Sequence, residues 1–159
     1  MIFDGRVRPR SSASNRSMTG PPGETEIQRL NPSRVSMILS ATSWQALAPG
    51  TLNLAVDSSV IEDLGNLKPM IEESAGRVVY PSPFERIPAM RKAYWYYAAT
   101  ARFGESEEPV LVRRAQVPVP GVVELFAAVS LTDKFKLKPD DVVTVEIDPT
   151  SRAAQGTSV

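Results

Sequence analysis

Histidine and cysteine are both absent from this sequence of 159 residues. A Ser-His-Asp triad, a thiol nucleophile, a Cys/His zinc site and any disulfide are therefore excluded. Chemistry must come from Asp, Glu, Lys, Arg, Ser, Thr, Tyr and backbone groups, and the compatible metal is a hard, oxygen-preferring cation such as Mg2+. That profile suits a phosphate-handling site more than a hydrolase. An excess of either charge is missing too, because 18 Lys and Arg balance 18 Asp and Glu. No net field favours nucleic acid or an anionic membrane, and neither is expected as a partner. Long apolar runs are lacking as well. The longest uncharged stretch, Val35 to Val56, is broken by Ser, Thr, Gln, Asn, Pro and Gly, and the opening Met1-Ile2-Phe3-Asp4-Gly5-Arg6 has no apolar h-region. Neither signal peptide nor membrane span is expected, which leaves the cytoplasm as the default location.

What is present is enough for a core: 42% of residues are hydrophobic, and the length is that of one domain. We expect a single domain over 1–148 and a small, polar, disordered tail over 149–159. Ile2 to Val7 is a β-compatible opening. Arg8-Pro9-Arg10-Ser11-Ser12-Ala13-Ser14-Asn15-Arg16-Ser17 reads as a loop, extended by Gly20-Pro21-Pro22-Gly23. Asn31-Pro32 looks like an N-cap with proline at the first helical position, and Val35, Ile38 and Leu39 recur at helical spacing, so a helix is expected over about Pro32 to Trp44. Thr51 to Asp57 alternates, with Leu52, Leu54 and Val56 on one face and Thr51, Asn53 and Asp57 on the other. Ser58 to Leu64 and Lys68 to Glu73 each read as a helical turn, and Arg77 to Tyr80 as a brief strand. Tyr94 to Phe103, a polar turn over Gly104 to Pro109, and Val110 to Arg114 read as a hairpin. Val122 to Val129 and Val142 to Ile147 complete six or seven short strands. The expected fold is a small, mostly β barrel with one flanking helix.

The most informative string is Pro49-Gly50-Thr51-Leu52-Asn53-Leu54. A Pro-Gly turn feeding directly into a strand points Thr51 and Asn53 to the same side, where two side-chain oxygens can share one metal ion. A second string, Val122-Val123-Glu124-Leu125-Phe126-Ala127-Ala128-Val129-Ser130-Leu131-Thr132, leads to Leu137-Lys138-Pro139-Asp140-Asp141-Val142-Val143-Thr144-Val145. In these strings, over roughly Ile2 to Ile147, the sequence resembles the archaeal-type CTP-dependent riboflavin kinases, which have a P-G-T-L-N segment opening a strand, a later V-I-E-type segment and an L-x-x-G-D-x-V-x-V hairpin. The resemblance implies a six-stranded cradle-loop barrel. It implies Mg2+ as cofactor, held by Thr51 and Asn53, and riboflavin and CTP as substrates. Arg8, Arg10, Gly50 and Thr51 fall where nucleotide is bound, and Glu124 where a carboxylate can accept the substrate hydroxyl proton.

The sequence also departs from that family. Arg8-Pro9-Arg10-Ser11-Ser12-Ala13-Ser14 stands in place of a glycine-rich stretch, Arg114-Ala115-Gln116-Val117 in place of Arg-Thr-His-Tyr, and Thr132 in place of an arginine. Two readings follow. The chain is a divergent kinase that uses Arg8, Arg10 or Arg16 instead of bare amides, or it is a noncatalytic barrel that binds flavin or nucleotide or acts as an interaction module. Structural alternatives stand beside each residue: Pro49-Gly50 as a simple turn, Glu124 as a solvated residue, Tyr94 to Tyr97 as packing around the strand rather than an isoalloxazine slot, and Arg113-Arg114 as a solvated strand edge.

Overall fold

The computed structural model describes residues 1–9, 32–48, 50–74, 76–78, 89–91, 93–118 and 120–148. Among them the chain runs β1 (Ile2–Val7), α1 (Pro32–Thr42), β2 (Leu52–Ala55), α2 (Ser58–Gly65), β3 (Ile71–Glu73), β4 (Gly76–Val78), β5 (Ala89–Arg91), β6 (Tyr94–Phe103), β7 (Ser106–Ala115), β8 (Val122–Phe126), α3 (Leu131–Phe135) and β9 (Val142–Ile147). Strands β6, β7, β8, β2, β1 and β9 pair in that order, all antiparallel, and β9 pairs back onto β6. This closes a six-stranded barrel and removes the open edges an all-β sheet must otherwise protect.

Closure depends on the length of β6. Its second half, Ala99 to Arg102, takes β9, while its first half, Tyr94 to Tyr96, takes β3 as an extra strand outside the ring. β4 and β5 pair with each other in a separate small ribbon. The interior is apolar from every side, with Phe3, Leu54, Tyr97, Val112, Leu125 and Val145 contributed by the six strands in turn. Gly5 is required there: a Cβ at this position would lie 2.9 Å from the Leu54 Cβ, closer than packed carbons approach. The β6–β7 turn is Gly104-Glu105, with Gly104 at φ 65°, a left-handed conformation glycine adopts without strain.

Helix α2 joins the same core through Val60, Ile61 and Leu64. It starts where the Asp57 carboxylate accepts the Ser59 backbone N–H at 3.0 Å, a contact that also holds this carboxyl below its ordinary pKa. Two barrel side chains hold its last turns, Tyr97 Oη donating to Leu64 O at 2.7 Å and Arg114 Nε to Ile61 O at 3.0 Å. Helix α3 begins at an N-cap serine, Ser130, and buries Leu131. Helix α1 covers an outer wall of the barrel, where Ile38 packs with Tyr96, Leu111 and Phe126 in a second apolar cluster. It ends at Thr42, whose hydroxyl bonds back to Ile38 O at 2.8 Å, and Ser43 turns left-handed at φ 63°.

Three expectations are corrected. The barrel carries three helices among the described residues, not one. The Lys68 to Glu73 segment is not a helical turn, because Ile71 to Glu73 finds backbone partners on Tyr94 to Tyr96. The hairpin turn is shorter than Gly104 to Pro109, since Ser106 to Pro109 already pairs with β6 and places Glu107 opposite Arg102. Arg10, Asn31, Pro49, Tyr80 and the 149–159 tail lie outside the described residues.

Candidate functional site

Register assembles the site. Alternation sends every second residue of a strand to the same face, and one cross-strand row on the outer wall reads Ile71 on β3, Tyr96 on β6, Arg113 on β7, Glu124 on β8 and Asn53 on β2. Thr51, two residues before Asn53, falls on the same side. Its hydroxyl donates to Glu124 Oε2 at 2.9 Å. The P-G-T-L-N and V-V-E strings, 73 residues apart, therefore meet at one point, with Thr51, Asn53 and Glu124 together on neighbouring strands.

The other carboxylate oxygen is also engaged. Arg113 Nε donates to Glu124 Oε1 at 3.0 Å and its Nη2 makes a second, shorter contact with the same oxygen. The guanidinium lies over the Tyr94 ring at 4.0 Å from the centroid and over Phe126 at 5.0 Å. The Arg113 side chain is 11% exposed and that of Glu124 29%, so the expectation of a solvated strand edge at Arg113 is corrected. Burial alone lowers the pKa of this guanidinium, but the facing Glu124 carboxylate together with Tyr96 and Tyr94 outweighs it and the net shift is upward. Arg113 stays charged.

A second pair continues the wall. Glu73 on β3 is buried, accepting from Arg34 Nε on α1 at 3.0 Å and from Tyr96 Oη at 2.9 Å. Arg34 also faces the Tyr94 ring, at 5.1 Å. Burial holds the Tyr96 phenol well above its ordinary pKa, so it remains a neutral donor to Glu73. The outer wall under α1 thus carries two carboxylates and two guanidiniums that cancel.

Two buried polar atoms of this wall escape the mutual satisfaction, the Arg113 Nη1 donor and the Asn53 Oδ1 acceptor. Asn53 Oδ1 has no hydrogen-bond partner, a state that costs the desolvation of an acceptor unless a ligand completes it. The residues present fit Mg2+ in a restricted way. Thr51 and Asn53 offer neutral oxygens of the hard type this ion takes, Glu124 is next to them but neutralised by Arg113, and no group of three or more acidic residues that could hold a metal ion occurs among the described residues. Such a set suits an ion that keeps several waters and is held jointly with phosphate.

Of the remaining expected residues, Arg8 and Gly50 adjoin this point, and Arg10 lies outside the described residues. Arg8 is exposed, and its backbone N–H donates to Asn53 O at 3.0 Å, which sets the start of the Arg8 loop beside the Asn53 strand. Gly50 is exposed at φ 72° with open space where a Cβ would stand, so its backbone is bare. A shallow depression lined by Phe103, Gly104, Phe135, Leu137, Asp141 and Val142 contains none of these residues. Arg113, Arg34, Glu73 and Tyr96 were missed as members of the wall. A signal for Arg113 existed: it is out of phase with Val110 and Val112 as Glu124 is with Val123 and Leu125, placing opposite charges on the outward phases of consecutive strands. No protein-family model matches this chain, and no curated protein matches it significantly.

Proposed function

We propose that the protein is a divergent CTP-dependent riboflavin kinase with a barrel of the cradle-loop type, transferring the terminal phosphoryl group of CTP to the ribityl hydroxyl of riboflavin to give FMN and CDP. The observation that supports this most is the convergence of Thr51, Asn53 and Glu124 from two distant strings, with Asn53 Oδ1 left without a donor. Mg2+ held with the nucleotide by Thr51 and Asn53 supplies neutralisation of phosphate charge. In this reading Arg8 and the bare backbone of Gly50 serve the phosphates in place of glycine amides, a role that the sequence resemblance also gives to Arg10. In the transfer the substrate oxygen forms its bond to the γ-phosphorus as the bridging oxygen leaves with CDP, and the hydroxyl proton passes to a base. Glu124 Oε2 accepts one hydrogen bond, from Thr51, and keeps a lone pair free for that proton, whereas Oε1 is occupied by Arg113.

Incubation of the protein with riboflavin, Mg2+ and CTP or ATP, followed by chromatography, is expected to yield FMN with CTP. No FMN from either nucleotide at high protein concentration overturns the reading. A second reading is favoured by one observation: Arg113 already holds Glu124, so the carboxylate of the candidate site is neutralised without any ligand. In that reading the barrel is a noncatalytic binding or interaction module. Calorimetry separates the two, because a module of the interaction kind binds neither riboflavin nor CTP.

A further inference from the structure

The pairing of Arg113 with Glu124 bears on how a cation reaches Thr51 and Asn53. A site with one unpaired carboxylate and two neutral oxygens attracts a divalent ion by itself. Here the only carboxylate bonded to Thr51 among the described residues is cancelled by a guanidinium that donates twice to it and that stacks on Tyr94, so it cannot swing away without losing both. Arg34 and Glu73 cancel likewise. The ion then meets two neutral oxygens and a formal charge of zero, with a fixed positive group behind the carboxylate.

We infer that Arg113 is a positioning residue that makes divalent-cation binding at Thr51 and Asn53 conditional on a bound polyphosphate. This rests on the assignment of Thr51 and Asn53 to a cation and adds an order to it: the nucleotide's own negative charge supplies what Glu124 does not, so metal and nucleotide bind together and each strengthens the other by the same factor. The same guanidinium fixes Glu124 Oε2 toward Thr51, which an unpaired glutamate on a strand surface would not maintain.

The test reads Mn2+ binding by electron paramagnetic resonance, with no turnover required. Wild-type protein is expected to show no saturable Mn2+ binding alone and to bind it when CTP is added. Arg113→Gln leaves Glu124 uncompensated and is expected to bind Mn2+ without nucleotide, about ten-fold or more tighter than wild type. Arg113→Lys keeps the charge and should behave as wild type, and Arg113→Gln/Glu124→Gln should lose the gain. Wild-type protein that binds Mn2+ alone as tightly as with CTP overturns the inference, and this arm needs no variant to fold. A folded Arg113→Gln protein that gains nothing overturns it as well, even if wild type forms FMN. If instead wild type never binds Mn2+ with CTP but Arg113→Gln binds it alone, Arg113 only suppresses the cation, and both its dependence on polyphosphate and the kinase reading are overturned.

Discussion

Two adjacent cross-strand rows of this barrel are built on the same four strands and have opposite chemistry. The inner row is Tyr97, Val112, Leu125 and Leu52, and the outer row, one residue over on each strand, is Tyr96, Arg113, Glu124 and Asn53. The inner row is removed from water by the closed ring, whereas in the outer row Tyr96 is buried against Ile38 of helix α1 and Arg113, Glu124 and Asn53 are partly buried. The inner row gains from burial of apolar area and needs no partner specificity. The outer row must satisfy each polar group it buries, because a buried charge without a partner costs more than the pair returns. The inner row therefore carries stability. The outer row carries geometry, and the one acceptor it fails to satisfy, Asn53 Oδ1, is where a ligand has something to complete.

This contrast is broken most directly from the inside. Leu125 is 1% exposed, and Leu125→Ala should cost roughly 2–5 kcal/mol through lost transfer energy and the cavity left behind. Chemical denaturation checks it. A smaller loss is expected in the outer wall for Glu73→Ala, roughly 1–3 kcal/mol, because Arg34 and the Tyr96 hydroxyl lose their acceptor. Glu73→Gln should recover part of that, since an amide oxygen still accepts from Tyr96. Equal losses for Glu73→Ala and Glu73→Gln would mean that the ion pair alone matters there.

Tyr97 joins the two kinds of chemistry, an inner-row ring with a hydroxyl that donates to Leu64 O at 2.7 Å. Burial raises its pKa from 10.0 to about 12, with Arg114 opposing and Glu72 reinforcing the shift. The sign follows from proton counts. Below pH 10 folded and unfolded chains both keep the phenolic proton; between 10 and about 12 the unfolded chain releases it while the folded chain holds it. Stability present below the lower value is thus lost as pH rises through the upper one. Tyr97→Phe should cost about 1 kcal/mol at neutral pH and make the alkaline decline shallower, as measured by urea midpoints across that range. An unchanged decline would assign the alkaline loss to other groups.

Much of the barrel was legible because alternation was strong wherever one strand face meets the interior. β1, β2, β6, β8 and β9 fall on the expected segments. The failures share a cause. Ile71 to Glu73 has too few residues to show a period, and its strand state is imposed by Tyr94 to Tyr96; Ser106 to Pro109 is polar like a turn yet is held by pairing with β6. Local propensity cannot report a partner distant in sequence. The same limit applies to the site: Thr51, Asn53 and Glu124 were legible as motif positions, whereas the Arg113 and Arg34 pairings required the register of β7 on β8 and the placement of α1 over β3.

The smallest expected effect on stability is at Asn53, and there it is the most informative. A structural asparagine tying down the turn before β2 would cost about 1–3 kcal/mol on replacement, because its partners would be left unmet. Asn53 Oδ1 has no such partner, while Leu52 and Leu54 on either side hold the strand in the core by their own burial. Asn53→Leu should therefore change the unfolding free energy by less than about 1 kcal/mol, and removing an unsatisfied acceptor can even stabilise. Binding of Mg2+ with CTP should be lost in the same protein. A melting temperature lowered by many degrees with nucleotide affinity intact would place Asn53 with the inner row as a structural residue, and the outer row would then have no unsatisfied acceptor to offer a cation.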